Sequence, residues 1–99
     1  MEEQLYVMFV ERGKNYKKMT KAVATRHVEN IRNLDDAGQL ELCGLLKGAP
    51  GIAGMLILKA GSYEEAEEIC KSEPLVVEGY ATYKLNILKV ANRENNYLL

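Results

Sequence analysis

IAGMLILKAGSYEEAEEIC, residues 52–70, changes from one kind of backbone order to another at a single glycine. Its first part, 52–60, is short and apolar apart from Lys59, which reads as a strand. Gly61 breaks that run. Ser62 and Glu65 then match the S-x-x-E capping box, in which each side chain satisfies the other residue's free backbone N–H. Glu64 and Glu65 sit at the positive end of the helix dipole. Tyr63, Ala66, Ile69 and Cys70 supply an apolar side. Pro74 disfavours helical backbone at Glu73, so the helix is expected to end near Ser72.

The flanking segments extend this strand-to-helix unit. LYVMFVE, 5–11, is β-branched and aromatic and reads as a strand ended by Gly13. Helical spacing predicts a long helix over about 16–37, with Gly38 as its C′ stop. At ~100° per residue, Ile31, Leu34, Val28, Ala24 and Thr20 share one face. The single histidine, His27, falls between Leu34 and Ala24 on that face. QLELCGLL, 39–46, is the second strand, and KGAPG, 47–51, is a turn-forming loop. LVVEGY, 75–80, reads as a turn or bent segment. ATYKLNILKV, 81–90, is the last strand, with Tyr83, Leu85 and Ile87 on one face. The tail, 91–99, has no clear period.

The order is βαββαβ. Right-handed crossovers turn it into a ferredoxin-like α+β sandwich: one domain over 1–99, with four antiparallel strands and two helices on one face. The first and third strands are apolar on both sides, yet two helices cover only one. The other face would be a larger apolar patch than monomers usually expose, so a homodimer joined sheet to sheet, or a higher oligomer, is expected.

Composition excludes several functions. With 13 basic against 14 acidic side chains, the chain lacks the basic excess of a general nucleic-acid binder. No run approaches the ~20 apolar residues of a membrane span. The acidic start, MEEQLYV, does not read as a secretory signal. Cys43 and Cys70 form no C-x-x-C pair, and one histidine cannot complete a zinc set with them. Reduced thiols in a cytoplasmic protein, with no metal and no cofactor, are the expectation.

Two places could carry chemistry. His27 reads either as a core-margin histidine bonded to its surroundings or as a base facing a cavity. Glu73-Pro74 reads either as a helix stop with a solvated acid or as the partner of His27. A carboxylate on one ring nitrogen fixes the tautomer and raises the basicity of the other. Spacing alone does not bring the two together.

The chain resembles the YciI-like (YCII-related) family of small dimeric α/β-barrel proteins over about residues 5–90. The likeness rests on LYVMFV, then R-H-V-x-x-I-x-x-L at 26–34, then DAGQLELCG, S-Y-E-E-A-E-E-I and E-P-L-V-V-E-G-Y, in that order. It implies a His–Asp pair in a cleft near the dimer interface. His27 matches the histidine. Glu73-Pro74 stands where the family has Asp-Pro, and Gly44-Leu45 where it often has Gly-Pro.

The resemblance implies a cofactor-independent general-base enzyme, such as an isomerase or dehydrochlorinase, acting on a small ring or carbonyl compound. His27 would be the base and Glu73 its orienting partner. Tyr6 and Tyr80 are candidate substrate-binding residues, with aromatic core packing as the alternative. A non-catalytic small-molecule binding or accessory dimer is the rival reading, and haem-type oxygen chemistry a third. The basic run from Arg12 to Arg26 reads as a solvated face or as a rim that steers anions.

Overall fold

The computed structural model describes residues 4–99. The acidic Met1–Glu3 start lies outside the described residues. Strands β1 (Gln4–Arg12), β2 (Leu40–Leu45), β3 (Ile52–Leu58) and β4 (Ala81–Lys89) form one antiparallel sheet in the order β2-β3-β1-β4. Helices α1 (Lys21–Asp36), α2 (Tyr63–Ser72) and the one-turn α3 (Pro74–Val77) complete the chain, with short 3-10 turns at Tyr16–Lys18 and Arg93–Leu98. This is the expected ferredoxin-like α+β sandwich.

The pleat of β1 sorts the core. Tyr6, Met8 and Val10 point to the helices, and across the ladder Tyr6 pairs with Leu58 and Met8 with Leu56. Val23 and Leu34 of α1, Ala66 and Cys70 of α2, and Leu75 of α3 close on that face and are buried with it. The alternate residues Leu5, Val7 and Phe9, with Met55 and Ile57 of β3, form the opposite face and remain half-buried. Leu42 is 58% and Leu88 37% exposed.

Several helix details differ from the sequence expectation. The 16–37 segment is not one helix. Met19 is extended (ψ 131°), and Thr20 is the N-cap, its hydroxyl accepting from Val23 N–H at 3.2 Å. The inner face of α1 runs through Val23, His27, Asn30, Ile31 and Leu34, whereas Val28 is 52% exposed. The stripe is therefore rotated away from the one centred on Val28 and Ala24. Gly38 does end α1, with φ +74° and Gln39 N–H bonded to Leu34 C=O at 2.9 Å, as in a Schellman stop.

The α2 cap is only half the expected box. Ser62 Oγ accepts from Glu65 N–H at 3.1 Å, but the Glu65 carboxylate takes the Gly61 N–H at 3.0 Å. Residues 75–80 are not merely a bend. Pro74 occupies the first turn of α3, where it lacks only an N–H that would go unused, and Gly79 (φ +79°) closes the turn.

Candidate active site

Glu73 stands between two helices. It follows the last residue of α2 and caps the first turn of α3, because Pro74 holds it in extended backbone (φ −65°, ψ 125°). This geometry turns its side chain inward, to 1% exposure. Its Oε2 accepts from Leu75 N–H at 2.6 Å, and its backbone N–H donates to Cys70 C=O at 3.3 Å. Its Oε1 contacts His27 Nδ1. Both carboxylate oxygens therefore have partners, as a buried acid requires.

The contact defines the ring. An ionised carboxylate would only accept, which would put a proton on Nδ1 and, in a neutral ring, leave Nε2 as the acceptor. His27 lies one turn after Val23 and one before Ile31 on the inner face of α1, with its side chain 24% exposed. It lines a cavity of about 210 Å³ between α1 and the β2–β3 edge of the sheet. The walls are largely apolar: Val10, Ile31, Leu45, Leu56 and Leu75. The arrangement can take a proton from a small bound molecule in a site where most surrounding atoms are hydrocarbon.

Gly54 lets the two strands meet at this wall, since a Cβ there would lie 2.5 Å from Gly44 C=O.

The expected tyrosines stand elsewhere. Tyr6 is 4% exposed under α2, its hydroxyl accepts from Gln4 Nε2 at 3.0 Å, and its ring packs edge-on against Tyr63 at 6.4 Å. Tyr80 is half-buried against the core. Neither lines the cavity; Tyr16 does. The sequence pattern places Tyr16 at the start of a long helix, away from any cleft. The break at Met19 was the missing signal.

Of the two cysteines, Cys43 is exposed and lines the cavity, while Cys70 is fully buried. Burial pushes the Cys70 thiol up to about 12, and nearby Glu67 adds to the shift. Lys14, Lys17, Lys18 and Lys21 are exposed, as a solvated face would be. Among the described residues no group of three or more His, Cys, Asp or Glu could hold a metal ion, and no helix is long and apolar enough to cross a membrane.

No protein-family model matches the chain, and no curated protein matches it by sequence. Solved structures do match. One is the 5-chloro-2-hydroxyhydroquinone dehydrochlorinase TftG of Burkholderia phenoliruptrix AC1100, in complex with 2,5-dihydroxybenzoquinone. It superposes with a TM-score of 0.69 over 93% of this chain and 98% of its own, at 14% sequence identity. Likeness at that identity speaks for the backbone, and the chain shares the ferredoxin-like α+β fold of that dehydrochlorinase.

Proposed function

We propose that this protein is a small general-base enzyme of the isomerase or dehydrochlorinase kind, acting without a cofactor on a small cyclic or carbonyl compound. One observation carries the reading: the buried Glu73 carboxylate, clamped by Leu75 N–H, meets His27 Nδ1 at the edge of an apolar cavity. Glu73 holds the ring and its tautomer, and Nε2 removes the substrate proton. The contact of His27 with Glu73 supports this reading, with glutamate standing where the resemblance has aspartate. The fold neighbour is a dehydrochlorinase bound to a dihydroxybenzoquinone, which favours ring compounds of that size as first substrates to try.

A screen of chlorinated and hydroxylated hydroquinones and small lactones, read by chloride release and by ultraviolet absorbance, tests the proposal. His27→Gln is expected to lower turnover of any hit by 10²–10⁴-fold, the range for losing a positioned base. Turnover unchanged in that variant would remove His27 as the base. A small-molecule-binding protein without turnover would bind such compounds and convert none.

The active form is proposed to be a homodimer joined through the open sheet face. Leu5, Val7, Phe9, Met55 and Ile57 present an apolar surface there that the helices leave uncovered. Sedimentation should give about twice the 11.1 kDa chain mass. A monomer at micromolar concentration would overturn the dimer.

A further inference from the structure

We infer that Tyr16 is the second polar anchor of the cleft, donating a hydrogen bond from its hydroxyl to an enolate or phenolate oxygen of the substrate. The inference rests on the general-base reading of His27 and names the substrate class: a small ring compound with an ionisable oxygen.

Proton removal by His27 Nε2 leaves an electron pair that needs somewhere to go. The C–H bond breaks, its pair forms a C=C bond, and the carbonyl π pair moves onto oxygen. In an isomerisation the proton returns to a different carbon. In a dehydrochlorination the carbonyl re-forms, a new C=C bond develops, and chloride leaves with its bonding pair. Either route places negative charge on an oxygen inside a cavity walled by Val10, Ile31, Leu45, Leu56 and Leu75. Such a charge requires a donor aimed at it.

Tyr16 meets that need. It lines the same cavity as His27, and its hydroxyl has no hydrogen-bond partner among the described residues, unlike those of Tyr6 and Tyr63. The Arg12 guanidinium lies over its ring, with Cζ 5.7 Å from the centroid. A cation on the ring face draws electron density from the phenol and strengthens its O–H as a donor.

The turn that carries Tyr16 is also held in place. Tyr16 N–H bonds to Gly13 C=O at 3.1 Å, and Gly13 N–H bonds to Tyr80 C=O at 3.0 Å. A Cβ at Gly13 would stand 2.9 Å from that same Tyr80 oxygen, so only glycine permits the approach. Tyr80 N–H in turn bonds to Leu75 C=O of α3, the helix that Glu73 caps. Tyr16 and the His27–Glu73 pair are thus fixed to one framework.

The test is a spectrophotometric titration with 4-nitrophenolate and, as a matched probe without the ionisable oxygen, 4-nitroanisole. The wild-type protein should prefer the phenolate. Tyr16→Phe keeps the ring and its cation contact but loses the hydroxyl. It should bind 4-nitrophenolate about tenfold more weakly, the usual effect of losing a hydrogen bond to a charged group, with 4-nitroanisole binding unchanged. Arg12→Gln, outside the cavity wall, should weaken the phenolate preference severalfold, and it decides the matter if circular dichroism shows Tyr16→Phe unfolded. Wild-type binding of both probes with no loss of preference in the folded variants overturns the Tyr16 assignment and leaves the cleft standing. Binding of neither probe to the wild type overturns the cleft reading and Tyr16 with it.

Discussion

At the scale of single residues, Glu73 bears the heaviest duty. Its carboxylate caps α3 and holds His27 from within the core. Glu73→Ala would leave a void, an uncapped Leu75 N–H and an imidazole facing no partner. Leaving buried hydrogen-bonding groups without a partner costs about 1–3 kcal/mol, a sizeable share of the roughly 5–15 kcal/mol that holds a domain together. A urea titration should show the midpoint falling accordingly, whereas a loss below about 1 kcal/mol would mean the contact stabilises little. Cysteine reactivity gives a second check. Cys70 is a thiol at neutral pH because burial and Glu67 both penalise the thiolate. Its folded value, about 12, lies above the ordinary 9.0. Its contribution to stability is therefore intact below pH 9 and is lost as pH rises from there towards 12. A disulfide reagent at neutral pH should titrate Cys43 in the native protein and Cys70 only in denaturant. Two native equivalents would contradict this burial. The sequence singled out His27 and Glu73 by residue type and by the proline, but their meeting spans 46 positions and exists only once α1 and α3 pack together.

At the scale of elements, the sequence was most readable where backbone chemistry alone decides the outcome. Gly38 ends α1 and Ser62 starts α2 because a left-handed residue and an N-cap oxygen are local requirements. Thr20 obeyed the same rule but was hidden in a stretch whose apolar spacing continued past it on both sides. With the true start at Lys21, the inner face passes through Val23 rather than Val28, and His27 sits inside that stripe rather than at its margin. The pairing of β2 with β3 shows the opposite case, a constraint that no local pattern announces. Gly54 in β3 reads as an interruption in an apolar strand, yet it is the place where Gly44 C=O comes closest. Gly54→Ala would press a methyl against backbone that cannot rotate away. The expected cost is about 1–3 kcal/mol, as for overpacking in a core. Thermal unfolding should show it as a lower Tm. A neutral outcome would mean that β2, an edge strand, yields easily. The same variant should impair ligand binding, because both glycines line the cavity.

At the scale of the whole molecule, the alternation of β1 is the decisive pattern. A strand with one solvated face would place polar residues at positions 5, 7 and 9. This chain has Leu5, Val7 and Phe9 there, opposite Ile57 and Met55, while β4 contributes Lys84 and Asn86 to the same face. Apart from Leu88, opposite Leu5, the apolar area lies on β1, β3 and β2, and a second copy related by a two-fold axis would cover it with its own matching strip. Val7 lies at the centre of this strip, between Ile57 and Asn86. Val7→Glu leaves the helix-side core untouched, since Val7 points away from it. In a dimer joined through this face it would bury two carboxylates in an apolar strip whose nearest cation on the same face, Lys84, already contacts Glu11. The variant should sediment as a folded monomer with near-native circular dichroism. If the cleft borders the interface, it should also lose ligand affinity. A Val7→Glu protein that remained dimeric would show that the copies meet elsewhere, and the apolar strip would then need another cover.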